Sequence, residues 1–282
     1  MVHQEILTGH NGDALKPRPS NSSIRAILIL VFLASALTAC GPGGDTSTNA
    51  NQTQSAKTQK KLTIFLIDRS GSFHRIQREG HFRGKDYFYI ACDQVKQYVR
   101  QEADKQNELI MVRAIQSSSF SDDTFIAKLD YTQSPVFTEP EPQGPYSKEK
   151  KKAWANRKQQ FDTGGENKQK SSLEAFAGNI DDFRKGKPSG KTDLVNAFRA
   201  LIPHLEEFSA YSKRIIVYSD FKDTETALEA AGQIDLGADI EVEGRFVSMN
   251  EQDPDSYNRL LKQWQSILKC KSTKFKTPAE SI

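Results

Sequence analysis

The run Lys61-Leu62-Thr63-Ile64-Phe65-Leu66-Ile67 constrains the fold of this chain more than any other stretch. Its apolar residues follow one another without the polar alternation of a half-solvated strand. The run is also short, so it reads as a strand covered on both faces, the kind found in sheets with helices packed on either side. Similar runs recur at Leu109-Ile110-Met111-Val112-Arg113-Ala114-Ile115 and Arg214-Ile215-Ile216-Val217-Tyr218. Residues 124–129 alternate and read as a short edge strand, and 240–248 as a late strand. Amphipathic stretches over about 86–104 and about 254–269 read as helices, the second with Leu260, Leu261, Trp264, Ile267 and Leu268 on its apolar face. Strands alternating with helices predict an α/β chain: a Rossmann-like, doubly wound, mostly parallel sheet flanked by helices.

The first strand runs straight into Asp68-Arg69-Ser70-Gly71-Ser72. Asp, Ser and Gly are ordinary turn residues. This turn, however, leaves the carboxyl end of a central strand, where open α/β sheets place their ligands. Further along, Ser189-Gly190-Lys191-Thr192-Asp193 precedes a helical pattern carried by Leu194, Val195, Ala197, Phe198 and Leu201. The strand at 214–218 then ends in Ser219-Asp220. Together the three segments offer two carboxylates and three hydroxyls. An all-oxygen donor set of this kind suits a hard divalent cation.

A strand followed by Asp-x-Ser-x-Ser, then a Thr before a helix, then a strand followed by Asp resembles the von Willebrand factor type A domain and its metal-ion-dependent adhesion site. The resemblance covers roughly residues 61–270. It implies that Ser70, Ser72 and Thr192 coordinate Mg²⁺ (or Mn²⁺) directly or through water, and that Asp68 and Asp220 hold it mostly through waters. Neutral hydroxyls leave the cation poorly neutralised, so an acidic residue of a protein partner completes its coordination. The function implied is a binding module rather than an enzyme, with a metal-independent envelope scaffold as the alternative. One residue departs from the family pattern: Phe221 follows Asp220 where Gly is usual. Its bulk is expected to narrow the site or to join a ligand-contacting surface.

The front of the chain carries an uninterrupted apolar segment at 26–39, following Arg25. It is short for a bilayer span and suits a signal-peptide core. It leads into Leu37-Thr38-Ala39-Cys40-Gly41, which looks like a bacterial lipobox, with Cys40 the lipidated residue. Residues 41–60 are polar and read as a flexible tether with a reach of roughly 25 Å. The expected organisation is therefore a signal over 1–40, a tether over 41–60, a domain over 61–270 and a tail over 271–282. The expected location is the cell membrane or outer membrane, with the domain facing the periplasm or exterior.

The formal net charge is +3 over 282 residues. Part of it lies in the signal, so composition gives no reason to expect nucleic acid. Cys92 and Cys270 remain after Cys40. In the resembled fold their helices are neighbours on one face of the sheet, which leaves a disulfide and two small buried residues as the alternatives. The strand–helix pattern breaks over about 131–171, where prolines are followed by a basic run around Trp154; a solvated, partly helical insertion is expected, with a partner- or polyanion-contacting arm anchored by Trp154 as the alternative. The loop after Ser72 carries Arg75, Arg78, Arg83 and Lys85 against Glu79, a rim that would attract an acidic ligand.

Two catalytic or nucleotide readings fail on single residues. Gly190-Lys191-Thr192 imitates the end of a P-loop, but Lys185 stands where the first Gly is needed. An Asp-nucleophile phosphotransferase would need an acid where Ser70 stands.

Overall fold

A computed structural model describes residues 59–74, 76, 84–117, 119, 124–133, 135–144, 148–247 and 254–281. Cys40, the signal, most of the tether and most of the basic rim (Arg75, Arg78, Glu79, Arg83) lie outside these residues. The protein is mixed α/β, built on one six-stranded, mostly parallel sheet. Its strands are β1 (Lys61–Asp68), β2 (Glu108–Ile115), β3 (Ala127–Asp130), β4 (Ser212–Tyr218), β5 (Ile234–Arg245) and β6 (Leu268–Phe275). They lie in the order β3-β2-β1-β4-β5-β6. β1 pairs in parallel with both β2 and β4, and only β3 runs antiparallel. The central strand is thus the run singled out by its unbroken apolar character.

Period-two alternation divides β1 between two cores. Leu62, Ile64 and Leu66 point to one side, where they join α3 (Leu194–Arg199), α4 (Ile202–Glu207) and α5 (Pro254–Ile267) through Leu194, Phe198, Leu205 and Trp264. Phe65 and Ile67 point to the other side, onto α1 (Tyr87–Gln101) and α2 (Lys148–Arg184) through Phe88, Cys92, Val95, Phe176 and Ile180. α1 starts where Asp86 caps it, its carboxylate accepting from Phe88 N at 2.8 Å. Such a cap contributes about 1 kcal/mol.

Four expectations need correction. The first and last helices do not share a face: α1 and α5 lie on opposite sides of the sheet. Cys270 does not end a helix but sits on β6, packed on the α5 side, whereas Cys92 is buried on the α1 side. The sheet separates the two thiols, both are free, and a disulfide between them is excluded. Residues 271–282 are not a mere tail, because β6 continues to Phe275 and pairs in parallel with β5. Lys269, Lys271 and Lys274 on this outer strand disguise it in the sequence, and Lys269 and Lys271 reach back to Asp235 and Glu241 of β5 at 2.7 and 2.8 Å.

Finally, the insertion does not stop at 171, since α2 is a single helix running to Arg184. Leu173, Phe176, Ile180 and Phe183, spaced three and four apart, anchor its last turns to the second core. No helix among the described residues is long and apolar enough to cross a membrane.

Candidate functional site

The carboxyl ends of β1 and β4 lie side by side at the point where the strand order reverses. Open α/β sheets bind their ligands at such a reversal. The loop after β1 is shaped by its own aspartate. Asp68 is fully buried; its Oδ1 accepts from Ser70 N at 2.7 Å, and its Oδ2 accepts from Ser219 Oγ at 2.7 Å. Ser219 in turn accepts from Phe221 N at 3.0 Å. One serine therefore ties the β1 loop to the β4 loop. Ser70 and Ser72 bring their hydroxyls to within 3.0 Å of each other.

The third segment joins through backbone contacts. Ser70 bridges Ser189: Gly71 N donates to Ser189 O at 3.1 Å, and Ser189 N donates to Arg69 O at 2.7 Å. Thr192 is held from the other side by Thr224. Its N donates to Thr224 Oγ1 at 2.8 Å, and its carbonyl accepts from Thr224 N at 3.0 Å. Asp223 accepts from Val195 N at 2.8 Å in the first turn of α3. With its backbone clamped, Thr192 keeps its hydroxyl buried and without a hydrogen-bond partner among the described residues. Leaving such a group unsatisfied costs about 1–3 kcal/mol.

Asp220 closes the set. It is nearly buried, accepts from Lys222 N at 3.2 Å, and its charge acts on Asp68. Burial pushes the Asp68 carboxyl up to about 6, with the negative charge of Asp220 adding to the rise and the Ser219 and Ser70 bonds pulling it back. A cation at this place would relieve both the crowded negative charge and the orphaned Thr192 hydroxyl. The donors available to it are hydroxyls and two carboxylates. Among the described residues no group of three or more His, Cys, Asp or Glu is placed to hold a metal.

Phe221 does not line the site. It is fully buried, with φ at 60°, and that left-handed backbone turns its ring into the core. The ring meets those of Trp264 at 5.7 Å and Phe275 at 5.1 Å, and Trp264 Nε1 donates to the Phe221 carbonyl at 3.1 Å. The space is taken up at the expense of β5: a Cβ on Gly244 would stand 2.7 Å from both phenyl rings. The expected narrowing of the site by Phe221 is overturned.

On the β1 loop, Arg69 lays its guanidinium over the Phe183 ring at 5.4 Å and against Gly186, where a Cβ would push the guanidinium aside.

The sequence pattern brought Asp68, Ser70, Ser72, Thr192 and Asp220 forward, and the fold gathers their three segments at one end of the sheet. It missed the residues that hold them, Ser189, Ser219, Asp223 and Thr224. For the last three the one signal is the density of Ser, Thr and Asp over 219–226, typical of turns that bond their own backbone. Of the basic rim only Lys85 falls among the described residues.

No family model matches the chain, and no curated protein matches it. Among solved structures it is similar to the D319A mutant of the PilB minor pilin from Streptococcus sanguinis, with TM-score 0.44 and 11% identity over 79% of this chain and 58% of that one. It is also similar to proximal thread matrix protein 1 from the mussel byssus, with TM-score 0.40 and 11% identity over 78% of this chain and 42% of that one. The chain thus spans less than two thirds of the length of either.

Proposed function

We propose that this protein is a membrane-anchored, divalent-metal-dependent protein-binding module of the bacterial cell envelope, built on a Rossmann-like, doubly wound sheet of the von Willebrand factor type A kind. The observation that carries the reading is the buried, partnerless Thr192 hydroxyl, clamped beside a loop that already presents Ser70, Ser72, Asp68 and Asp220. Ser70, Ser72 and Thr192 would hold Mg²⁺ or Mn²⁺ by their hydroxyls, and Asp68 and Asp220 would supply charge and orient water. The bound cation supplies an electrophilic position for an acidic residue of the partner. The chain's own part is to hold three loops rigid, which Ser219 and Thr224 do through the bonds described above. Binding rather than catalysis is the function, with Cys40 as the lipid anchor and the domain facing the periplasm or exterior.

One observation favours the alternative of a metal-independent envelope scaffold. Ser70 and Ser72 already bond one another, and both Asp68 oxygens are satisfied within the chain. Calorimetric titration of Mg²⁺ and Mn²⁺ into the full-length protein separates the two readings. Binding should be seen in the wild type and be weakened at least tenfold in Thr192→Val and in Ser70→Ala/Ser72→Ala. Equal affinity in all three proteins, or partner binding indifferent to chelator, would favour the scaffold.

A further inference from the structure

α2 is much longer than the core it serves. Its 37 residues span about 55 Å, whereas an eight-residue strand spans about 26 Å. The register of the excess follows from two ion pairs. Arg184 meets Asp93 at 3.0 Å and Asp181 meets Lys96 at 2.7 Å, so α2 runs antiparallel to α1 and passes its last residue, Gln101, near Phe176. The buried residues of α2 are Phe176 and Ile180, at and beyond that point. Residues 148–172, about 35 Å of helix, therefore project past the end of α1.

The direction of projection is set by the sheet. α2 finishes beside Arg69 at the carboxyl ends of the parallel strands, so its free half extends from the amino ends. β3 leads into it from Asp130, which lies opposite Leu109 near the start of β2. The chain enters β1 at Lys61 from this same end.

The projecting half is stiffened on one side. Trp154 and Phe161, seven residues apart, meet Phe137 of the extended segment 135–144 at 5.8 and 5.4 Å. Trp154 Nε1 donates to Glu139 O at 2.8 Å, and Arg157 pairs with Glu139. Lys148 and Lys152 lie on the opposite side, and Lys151 and Lys158 flank it, with Lys158 Nζ 5.7 Å from the Trp154 ring. All four are exposed, and none pairs with a carboxylate among the described residues. The aromatic residues are used internally, so this outer face offers charge rather than an apolar socket.

Resting on the membrane-anchored reading proposed above, we infer that this arm is an electrostatic foot for an anionic phospholipid surface, with Lys148, Lys151, Lys152 and Lys158 as the contact residues. The apolar segment at 26–39 and Cys40 belong to the chain that enters the sheet at the end from which the arm projects. An acidic lipid surface is therefore the polyanion this face would meet. Lysines close to such a surface are held by its negative potential, and the attraction fades with added salt.

The test uses the full-length chain reconstituted into phosphatidylcholine vesicles with or without phosphatidylglycerol. Lysines are labelled with an amine-reactive reagent and read by mass spectrometry. The four arm lysines should label about tenfold or more slowly on the phosphatidylglycerol vesicles, while Lys85 and Lys222 label alike on both. The protection should vanish at 0.5 M NaCl. A quadruple Lys→Gln variant should show equal hydrogen exchange of the arm on the two membranes, against slower exchange on phosphatidylglycerol in the wild type. Equal labelling on both membranes overturns the inference. So does protection that appears only when an oligonucleotide or polyglutamate is added, which would assign the face to nucleic acid or to an acidic protein. None of these readouts depends on divalent metal, so failure here is distinct from failure of the metal site.

Discussion

Replacing Phe221 by alanine and, separately, by glycine sets two opposing effects against each other at one position. The ring is fully buried against Trp264 and Phe275. Truncating such a ring costs about 3–5 kcal/mol from lost transfer energy and the cavity left behind. The backbone works the other way. At φ 60° a side chain is strained, by about 1–2 kcal/mol, and only glycine removes that strain. Glycine also loosens the unfolded chain, which costs about 0.5–1 kcal/mol relative to alanine. Phe221→Ala should therefore destabilise by about 3–5 kcal/mol. Phe221→Gly should do so by roughly half to one kcal/mol less, a reversal of the usual order of alanine over glycine. In a chain of this size each kcal/mol moves Tm by about 2–4 °C, so both variants should melt on the order of 10 °C lower. Urea unfolding with unchanged m-value is the assay. A glycine variant less stable than the alanine variant would refute the left-handed backbone, and a loss below about 1 kcal/mol in both would refute the filled pocket.

Three further outcomes follow from the same geometry. Thr192→Val removes a hydroxyl that has no partner, so in chelator the variant should be as stable as wild type or up to about 1 kcal/mol more stable by urea unfolding, while losing divalent-ion affinity. Glu243 is raised by its burial but held down more strongly by Lys276, Arg214 and Arg245, to about 2. The stability it supplies is thus full above about pH 4.5 and is lost as pH falls toward 2. With Arg214 and Lys276 half-exposed the loss is about 2 kcal/mol, and Glu243→Gln should flatten that part of the stability–pH curve. Gly244→Ala should cost about 1–3 kcal/mol, because its methyl would meet both phenyl rings at 2.7 Å; a neutral result in thermal melts would show that β5 and β6 yield there.

The parts of this molecule legible in the sequence are those decided by local pattern. The unbroken apolar runs gave β1, β2 and β4, and the amphipathic stretch over about 86–104 gave α1. The loop chemistry pointed to all five candidate donors. What was not legible depends on partners far apart in sequence. The faces taken by α1 and α5 are set by chain crossings, so the pairing of Cys92 with Cys270 had no local test. The direction of Phe221 turns on one backbone angle that nothing in the flanking residues announces. β6 was hidden because an outer strand carries lysines where an inner one carries valines. The end of α2, by contrast, was there to be read in Leu173, Phe176, Ile180 and Phe183, and was lost to the basic run ahead of it.

The two borders of the sheet decide how the molecule behaves in company. β3 spans four residues, too short to template a long added strand. β6 is longer, but Lys269 and Lys271 lean across it to Asp235 and Glu241, so a second chain adding there would have to strip water from charges and break their pairings. Crowded at high local density, copies of this protein should stay separate units rather than grow into fibres through their sheets.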